Sequence, residues 1–213
     1  MNAFLQWLVV AYAPLHARYA LVEESRGAGA LGNSTEDTTM EQSTDAFPLV
    51  NLDTLDYFTL PVDDSAAQRF GARIGDIGGR VGARKLGYNL TVIPPGMRAF
   101  PRHSHLVNEE MFFVVSGEGE VRIGDRRRLV RAGDVVACLA GDIGTAHQLA
   151  NTSTETELRV LAVSTMQSPE VCQYPDSGKF ALSADLPAGA ASEKRAFRYV
   201  SRATNSLEYW DGE

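Results

Sequence analysis

The residues of this chain best suited to chemistry are three histidines and one glutamate. His103, His105 and Glu110 lie within eight residues of one another in PGMRAFPRHSHLVNEEMFFVVSG, and His147 lies in GDVVACLAGDIGTAHQLAN. Imidazole nitrogens and a carboxylate oxygen suit a divalent transition metal: iron, manganese, nickel, cobalt, copper or zinc. No thiolate belongs to the set, which argues against a structural zinc site. We therefore predict that these four side chains hold one divalent metal ion.

Strand alternation explains how the chain could bring these donors together. On an extended strand, His103 and His105 point to the same face. A turn over residues 106–108 would return the chain so that Glu110, at the start of the next strand, lies beside them. His147 would arrive from a later strand and complete a set of three imidazoles and one carboxylate.

Short strand-like segments recur at regular spacing and end at Gly, Pro, Asn or Asp. The predicted strands cover residues 86–93, 110–116, 120–123, 127–131, 135–139, 145–150, 158–165 and 196–201. One or two helical turns are expected over 66–74. This spacing is typical of an all-β sandwich or barrel, and the lack of a long segment with helical period argues against a parallel α/β fold.

Two stretches resemble the conserved motifs of the cupin superfamily. The first motif, G-x5-H-x-H-x3,4-E-x6-G, is met with one extra residue by Gly96, His103, His105, Glu110 and Gly117. Its spacing to the last glycine selects Glu110 over the neighbouring Glu109. The second motif, G-x5-P-x-G-x2-H-x3-N, is met at Gly133, Gly141, His147 and Asn151. It departs from the pattern at Leu139, where proline is usual, and in a longer loop before His147.

This resemblance implies an all-β fold, a single cupin (jelly-roll) barrel with N- and C-terminal extensions. We expect residues 1–46 to form a partly flexible N-terminal extension and residues 47–175 to form the barrel. Residues 176–213 would be a C-terminal tail that docks on it. Small single-domain members of the superfamily with a YPDSGK stretch after the barrel are described as sugar-phosphate isomerases or only as cupin-domain proteins.

Four protein ligands leave one or two positions open on a five- or six-coordinate ion. We expect a metal-dependent enzyme that acts on a small oxygenated molecule, by isomerisation, decarboxylation or dioxygenation. A non-catalytic binding or sensor module is the alternative. Arg98, Arg102, Phe112 and Gln148 are the candidate substrate contacts, since an arginine fork suits a carboxylate or phosphate. Residues 174–179 are expected to cap the mouth of the site.

Composition and charge restrict the partners. The net charge of −7 argues against nucleic acid, and the apolar run over residues 4–11 is too short to span a membrane. Two cysteines, Cys138 and Cys172, are expected to be buried free thiols, which suits the cytoplasm. Met111, Phe113 and Val115 would face away from the metal and need cover from an N-terminal strand or a second subunit, and we expect a homodimer.

Overall fold

A computed structural model of the protein describes residues 47–186 and 195–213, and the extension expected over residues 1–46 lies outside them. The strands are β1 Tyr57–Thr59, β2 Arg73–Asp76, β3 Leu86–Ile93, β4 Ser104–His105, β5 Glu110–Ser116, β6 Glu118–Ile123, β7 Arg126–Arg131, β8 Val135–Cys138, β9 His147–Ala150, β10 Leu158–Thr165, β11 Glu170–Tyr174, β12 Lys179–Leu186 and β13 Arg195–Arg202. Single 3-10 turns cover Leu52–Thr54, Ile143–Thr145 and Ala203–Asn205. The all-β class is therefore confirmed.

Three antiparallel sheets build the fold. The largest has the order β1-β2-β3-β10-β5-β8, the second β13-β12-β11-β4 and the third β7-β6-β9. Side chains from the first and third sheets meet in one buried cluster, which includes Val114 of β5, Val121 of β6, Leu149 of β9 and Val160 of β10. Residues of β5 and β10 alternate between buried and half-buried positions, so one face of each of these two strands lines the interior.

The β5–β6 turn shows why a glycine closes the first motif. Gly117 has a φ of +84°, in the left-handed region that favours glycine. A Cβ atom at this position would lie 2.4 Å from the carbonyl oxygen of Glu157. Both the backbone conformation and the close packing therefore exclude a side chain.

One segment departs from the expected pattern in the first third of the described chain. The helical turns expected over 66–74 are wrong for their second half, because Arg73–Asp76 form β2 and pair with β3. Ile74 is buried in the main core, which fixes this strand. A second cluster, around Leu55, Leu90 and Val92, covers part of the outer face of the six-stranded sheet.

The C-terminal part of the described chain forms strands of the four-stranded sheet. The β12 strand pairs with all of β11 on one side and, along its own full length, with β13 on the other. The expected strand over 196–201 is β13, and the boundary expected at residue 175 falls in the turn between β11 and β12. Within the described residues, no helix has the length and apolar character needed to cross a bilayer.

Candidate metal centre

Three backbone segments bring the predicted ligands together. His103 and His147 form an antiparallel bridge, in which the His103 N–H donates to the His147 carbonyl at 3.1 Å and the reverse bond is 2.7 Å. His105 lies on the two-residue strand β4, opposite Cys172 of β11. Glu110 is the first residue of β5. The bridge at His103 and the short β4 strand therefore direct both histidines toward Glu110.

The three histidines direct the same ring nitrogen to one carboxylate oxygen. The Nε2 atom lies 2.7 Å from Glu110 Oε2 in His147, 3.5 Å in His105 and 3.9 Å in His103. One ligand atom from each of the four residues lies within 4.8 Å of all the others. Glu110 and His147 are almost fully buried, at 4% and 2% exposure. The neighbouring Glu109 is exposed, so the structure separates the two glutamates as the sequence predicts.

A hydrogen bond at the opposite ring nitrogen of His103 fixes the tautomer that a metal requires, and His105 has polar contacts at the same ring position. His103 Nδ1 lies 2.8 Å from the Pro101 carbonyl, to which it donates, so its Nε2 lone pair faces the cluster. His105 Nδ1 lies 3.6 Å from Glu170 Oε2 and 3.4 Å from the Cys172 sulfur. A carboxylate behind a histidine orients the ring and raises its basicity toward a metal.

Charge interactions in this buried cluster shift several pKa values. Burial and the neighbouring His147 and His105 lower the pKa of His103 to about 3, so this ring is neutral near pH 7. Burial opposes ionisation of Glu110, but hydrogen bonds with His105 and His147 bring its pKa well below the ordinary value. Burial also acts to lower the pKa of His105, yet Cys172, Glu110 and Glu170 together raise it. The Glu110 carboxylate is therefore ionised, and the His103 imidazole is neutral and able to bind a metal ion.

Glu170 binds the loop over residues 106–108, which lies between His105 and Glu110. Its Oε1 accepts the N–H groups of Leu106 at 3.0 Å and Val107 at 3.2 Å, and its Oε2 accepts that of Asn108 at 2.8 Å. The Asn108 side chain also donates to it. Burial raises the pKa of Glu170, but the contacts with His105 and Asn108 outweigh burial and lower it to about 2. This carboxylate fixes the turn between β4 and β5, and thereby the separation of the histidines from Glu110.

The donor set fits a divalent transition metal. Three convergent imidazole nitrogens and one ionised carboxylate offer the ligands that such ions take at about 2.0–2.2 Å. The three Nε2 atoms lie 2.7–3.9 Å from Glu110 Oε2, and all four ligand atoms lie within 4.8 Å of one another. An ion among them would replace hydrogen bonds that the rings now make with Glu110.

A family model for the cupin domain matches residues 89–164, which contain all four of these residues. Residues 89–164 therefore form a cupin domain. No match to it was found among curated proteins.

Solved structures show the same fold. A sugar phosphate isomerase of the cupin superfamily from Silicibacter pomeroyi is 23% identical, with a TM-score of 0.61 over 77% of this chain and 98% of that one. A proposed sugar phosphate isomerase from Acidithiobacillus ferrooxidans is 20% identical, with a TM-score of 0.60 over 76% of this chain and 96% of that one. At this identity the likeness establishes the fold alone.

The cluster lies at a cavity of about 130 Å³ inside the cupin barrel. Phe112 and Gln148, two of the candidate substrate contacts, line it. Phe112 also packs edge-on against His147, with ring centroids 5.7 Å apart, and Gln148 Nε2 donates to the Phe100 carbonyl at 2.8 Å. Tyr174 lines the cavity and stacks on His103 with centroids 5.9 Å apart. The β11–β12 turn thus begins at the wall of the site.

The structure does not place the other two candidate substrate contacts in the lining. Arg98 is exposed, and its backbone bridges to Phe70 and Ala150. Arg102 pairs with Asp176 at 2.9 Å and donates to the Gly124 carbonyl at 3.2 Å. Arg102 therefore fastens the β11–β12 turn to the barrel.

Sequence reasoning missed several residues of the cavity, among them Glu170, Ser164 and Arg198. Ser164 lies opposite Glu110 in the β10–β5 register, and strand alternation from Leu158 could have identified it. Glu170 and Arg198 lie on strands that follow the family match, where no motif marks them. Only the pairing of β11, β12 and β13 brings them to the site.

Proposed function

We propose that this cupin is a metal-dependent enzyme that acts on a small oxygenated molecule. The observation that carries the proposal is the convergence of three His Nε2 atoms on Glu110 Oε2 at the wall of a cavity. A metal ion there would have positions open to the oxygen atoms of a substrate and would act as a Lewis acid, or with iron would bind oxygen.

Isomerisation of a sugar phosphate is the reaction class we favour. The two related folds that cover most of their own length with this chain carry that name, and such a substrate offers adjacent hydroxyl and carbonyl oxygens to a metal. The mixed lining supports a small polar substrate: Phe112 gives one apolar wall, and Gln148, Ser164 and Glu170 are polar. Decarboxylation and dioxygenation use the same donor set and are the competing classes.

A second copy of the chain is the protein partner we propose. Met111 and Phe113 point away from the interior and are half-buried, and the adjoining Val135 is 65% exposed. This apolar strip lies beside the part of the sheet that Leu55 covers. Burial of the strip against its own copy would remove it from water. The cysteines are free and buried, which favours a reducing cytoplasm.

The test compares two adjacent glutamates. Metal-loaded wild type, Glu110→Gln and Glu109→Gln are assayed by NMR for interconversion of aldose and ketose phosphates, and by oxygen uptake with diketones and phenols. We expect turnover of a sugar phosphate by wild type and by Glu109→Gln, and its loss in Glu110→Gln. Oxygen uptake without isomerisation would move the assignment to a dioxygenase. Absence of turnover in a metal-loaded chain that binds a small molecule tightly would favour the binding module.

A further inference from the structure

A row of polar side chains crosses the four-stranded sheet from the metal cluster outward. Glu170 of β11 lies opposite Ser183 of β12, and Ser183 lies opposite Arg198 of β13. Residues directly opposite one another in antiparallel strands share a face of the sheet. All three line the cavity, so this face forms one of its walls.

The spacing of the strands sets the length of this row. Neighbouring strands lie about 4.8 Å apart, so the backbone of Arg198 lies about 10 Å from that of Glu170. Glu170 in turn contacts His105 Nδ1 at 3.6 Å. The backbone of Arg198 therefore lies two strands away from that of Glu170, and both side chains line the same cavity.

Arg198 has hydrogen-bonding capacity that the described residues do not use. Its Nη1 donates to the Phe197 carbonyl at 3.0 Å, and its Nη2 lies 3.9 Å from Asp185 Oδ1. Its Nε is buried and has no hydrogen-bond partner in the described part of the chain. The side chain is 19% exposed, whereas the Asp185 side chain is 57% exposed and its charge is correspondingly screened. A buried N–H without a partner is unfavourable, and an acceptor oxygen in the cavity would relieve it.

A second polar group has the same property nearer the metal ligands. Ser164 Oγ lines the cavity, is buried and makes no hydrogen bond with the described residues. It lies opposite Glu110 in the β5–β10 register. The Ser164 hydroxyl and the Arg198 guanidinium thus belong to the same cavity lining, and neither Ser164 Oγ nor Arg198 Nε has a hydrogen-bond partner among the described residues.

We propose that Arg198 binds the anionic group, a phosphate or carboxylate, of the substrate whose oxygen atoms face the His103, His105, Glu110 and His147 cluster. The inference rests on the proposed function for the identity of that substrate. The guanidinium fork matches the paired oxygens of both anions. Asp185, which also lines the cavity, approaches Nη2 at 3.9 Å and leaves Nε without a hydrogen-bond partner among the described residues.

The experiment measures binding of inorganic phosphate and of malonate by calorimetry, using the full chain after chelator treatment. The variants are Arg198→Gln and Arg198→Lys. Arg202→Gln is the control, since Arg202 follows four residues later on β13, is exposed and does not line the cavity. We expect Arg198→Gln to weaken binding of the preferred anion about tenfold or more, Arg198→Lys to weaken it less, and Arg202→Gln to leave it unchanged.

Removal of the metal from the assay separates this inference from the proposed function. Anion binding that is unchanged in Arg198→Gln, or equally weakened in Arg202→Gln, would overturn the inference even if the chain proves to be an isomerase. Should Arg198→Gln fail to fold by circular dichroism, Arg198→Lys decides: wild-type affinity in that variant overturns the role of the fork.

Discussion

Replacement of Glu170 by glutamine tests how the fold holds the metal ligands in place. Both carboxylate oxygens accept backbone N–H groups, Oε1 from Leu106 and Val107 and Oε2 from Asn108. In Glu170→Gln, the new NH₂ group must face at least one of these donors, whichever way the amide is turned. The variant therefore loses both the charge and one acceptor.

The magnitude follows from the pKa of this carboxyl group. Its contacts lower the pKa from 4.5 to about 2 in the folded chain. A difference of this size between the unfolded and folded states corresponds to about 3 kcal/mol of stability. Since the folded-state pKa is the lower one, this contribution is complete above pH 4.5 and is lost as the pH falls toward 2.

The assay is urea unfolding of metal-free wild type, Glu170→Gln and the exposed control Glu109→Gln between about pH 5.5 and 2.5, where histidines of the unfolded chain stay protonated. We expect wild type to exceed Glu170→Gln by about 3 kcal/mol in free energy of unfolding at the upper end, with the gap closing as the pH falls. Glu109→Gln should track wild type. A gap that does not change with pH, or one below about 0.5 kcal/mol throughout, would refute the role assigned to Glu170.

Three further predictions concern other parts of the fold. The Asn151 side chain donates to the Ile93 and Thr156 carbonyls and accepts from the Ser153 N–H. Asn151→Ala should therefore lower the free energy of unfolding in urea by about 3 kcal/mol, whereas Thr152→Ala, at an exposed position, should change it little. Equal effects of the two substitutions would contradict this role of Asn151. Phe113→Lys should convert the expected dimer to a monomer, as measured by light scattering, whereas Leu129→Lys, at an 80% exposed position, should leave the dimer intact. A monomeric wild type would rule out the proposed dimer. Burial raises the pKa of the Cys138 thiol, so alkylation of this group followed by mass spectrometry should require unfolding, and rapid labelling of the native chain would contradict its burial.

The strands around the first motif could be predicted because residues within and next to each strand determine where it begins and ends. Residues 86–93, 110–116 and 158–165 form strands with the expected bounds. Each contains a run of apolar and β-branched residues and is followed by turn residues. The separation of Glu110 from Glu109 also follows from alternation, since one residue of shift turns a side chain to the other face.

The remaining features depend on pairing between distant segments. The β2 strand forms where a helical turn was expected, because its partner β3 and the core decide its conformation. Arg198 reaches the cavity through the register of β11, β12 and β13. Arg98 and Arg102 were attractive candidates because they precede the ligands in sequence, but proximity in sequence does not determine which face of the chain lines the cavity.

Metal analysis of the purified chain tests the central claim most directly. Wild type and Glu109→Gln, prepared without chelator and reloaded with a divalent transition metal, should each hold about one ion per chain by elemental analysis. Glu110→Gln and His147→Ala should hold far less, because each removes a ligand from the point where the three Nε2 atoms converge. Trace metal in wild type, or metal content that is the same in all four proteins, would contradict a metal centre at this site.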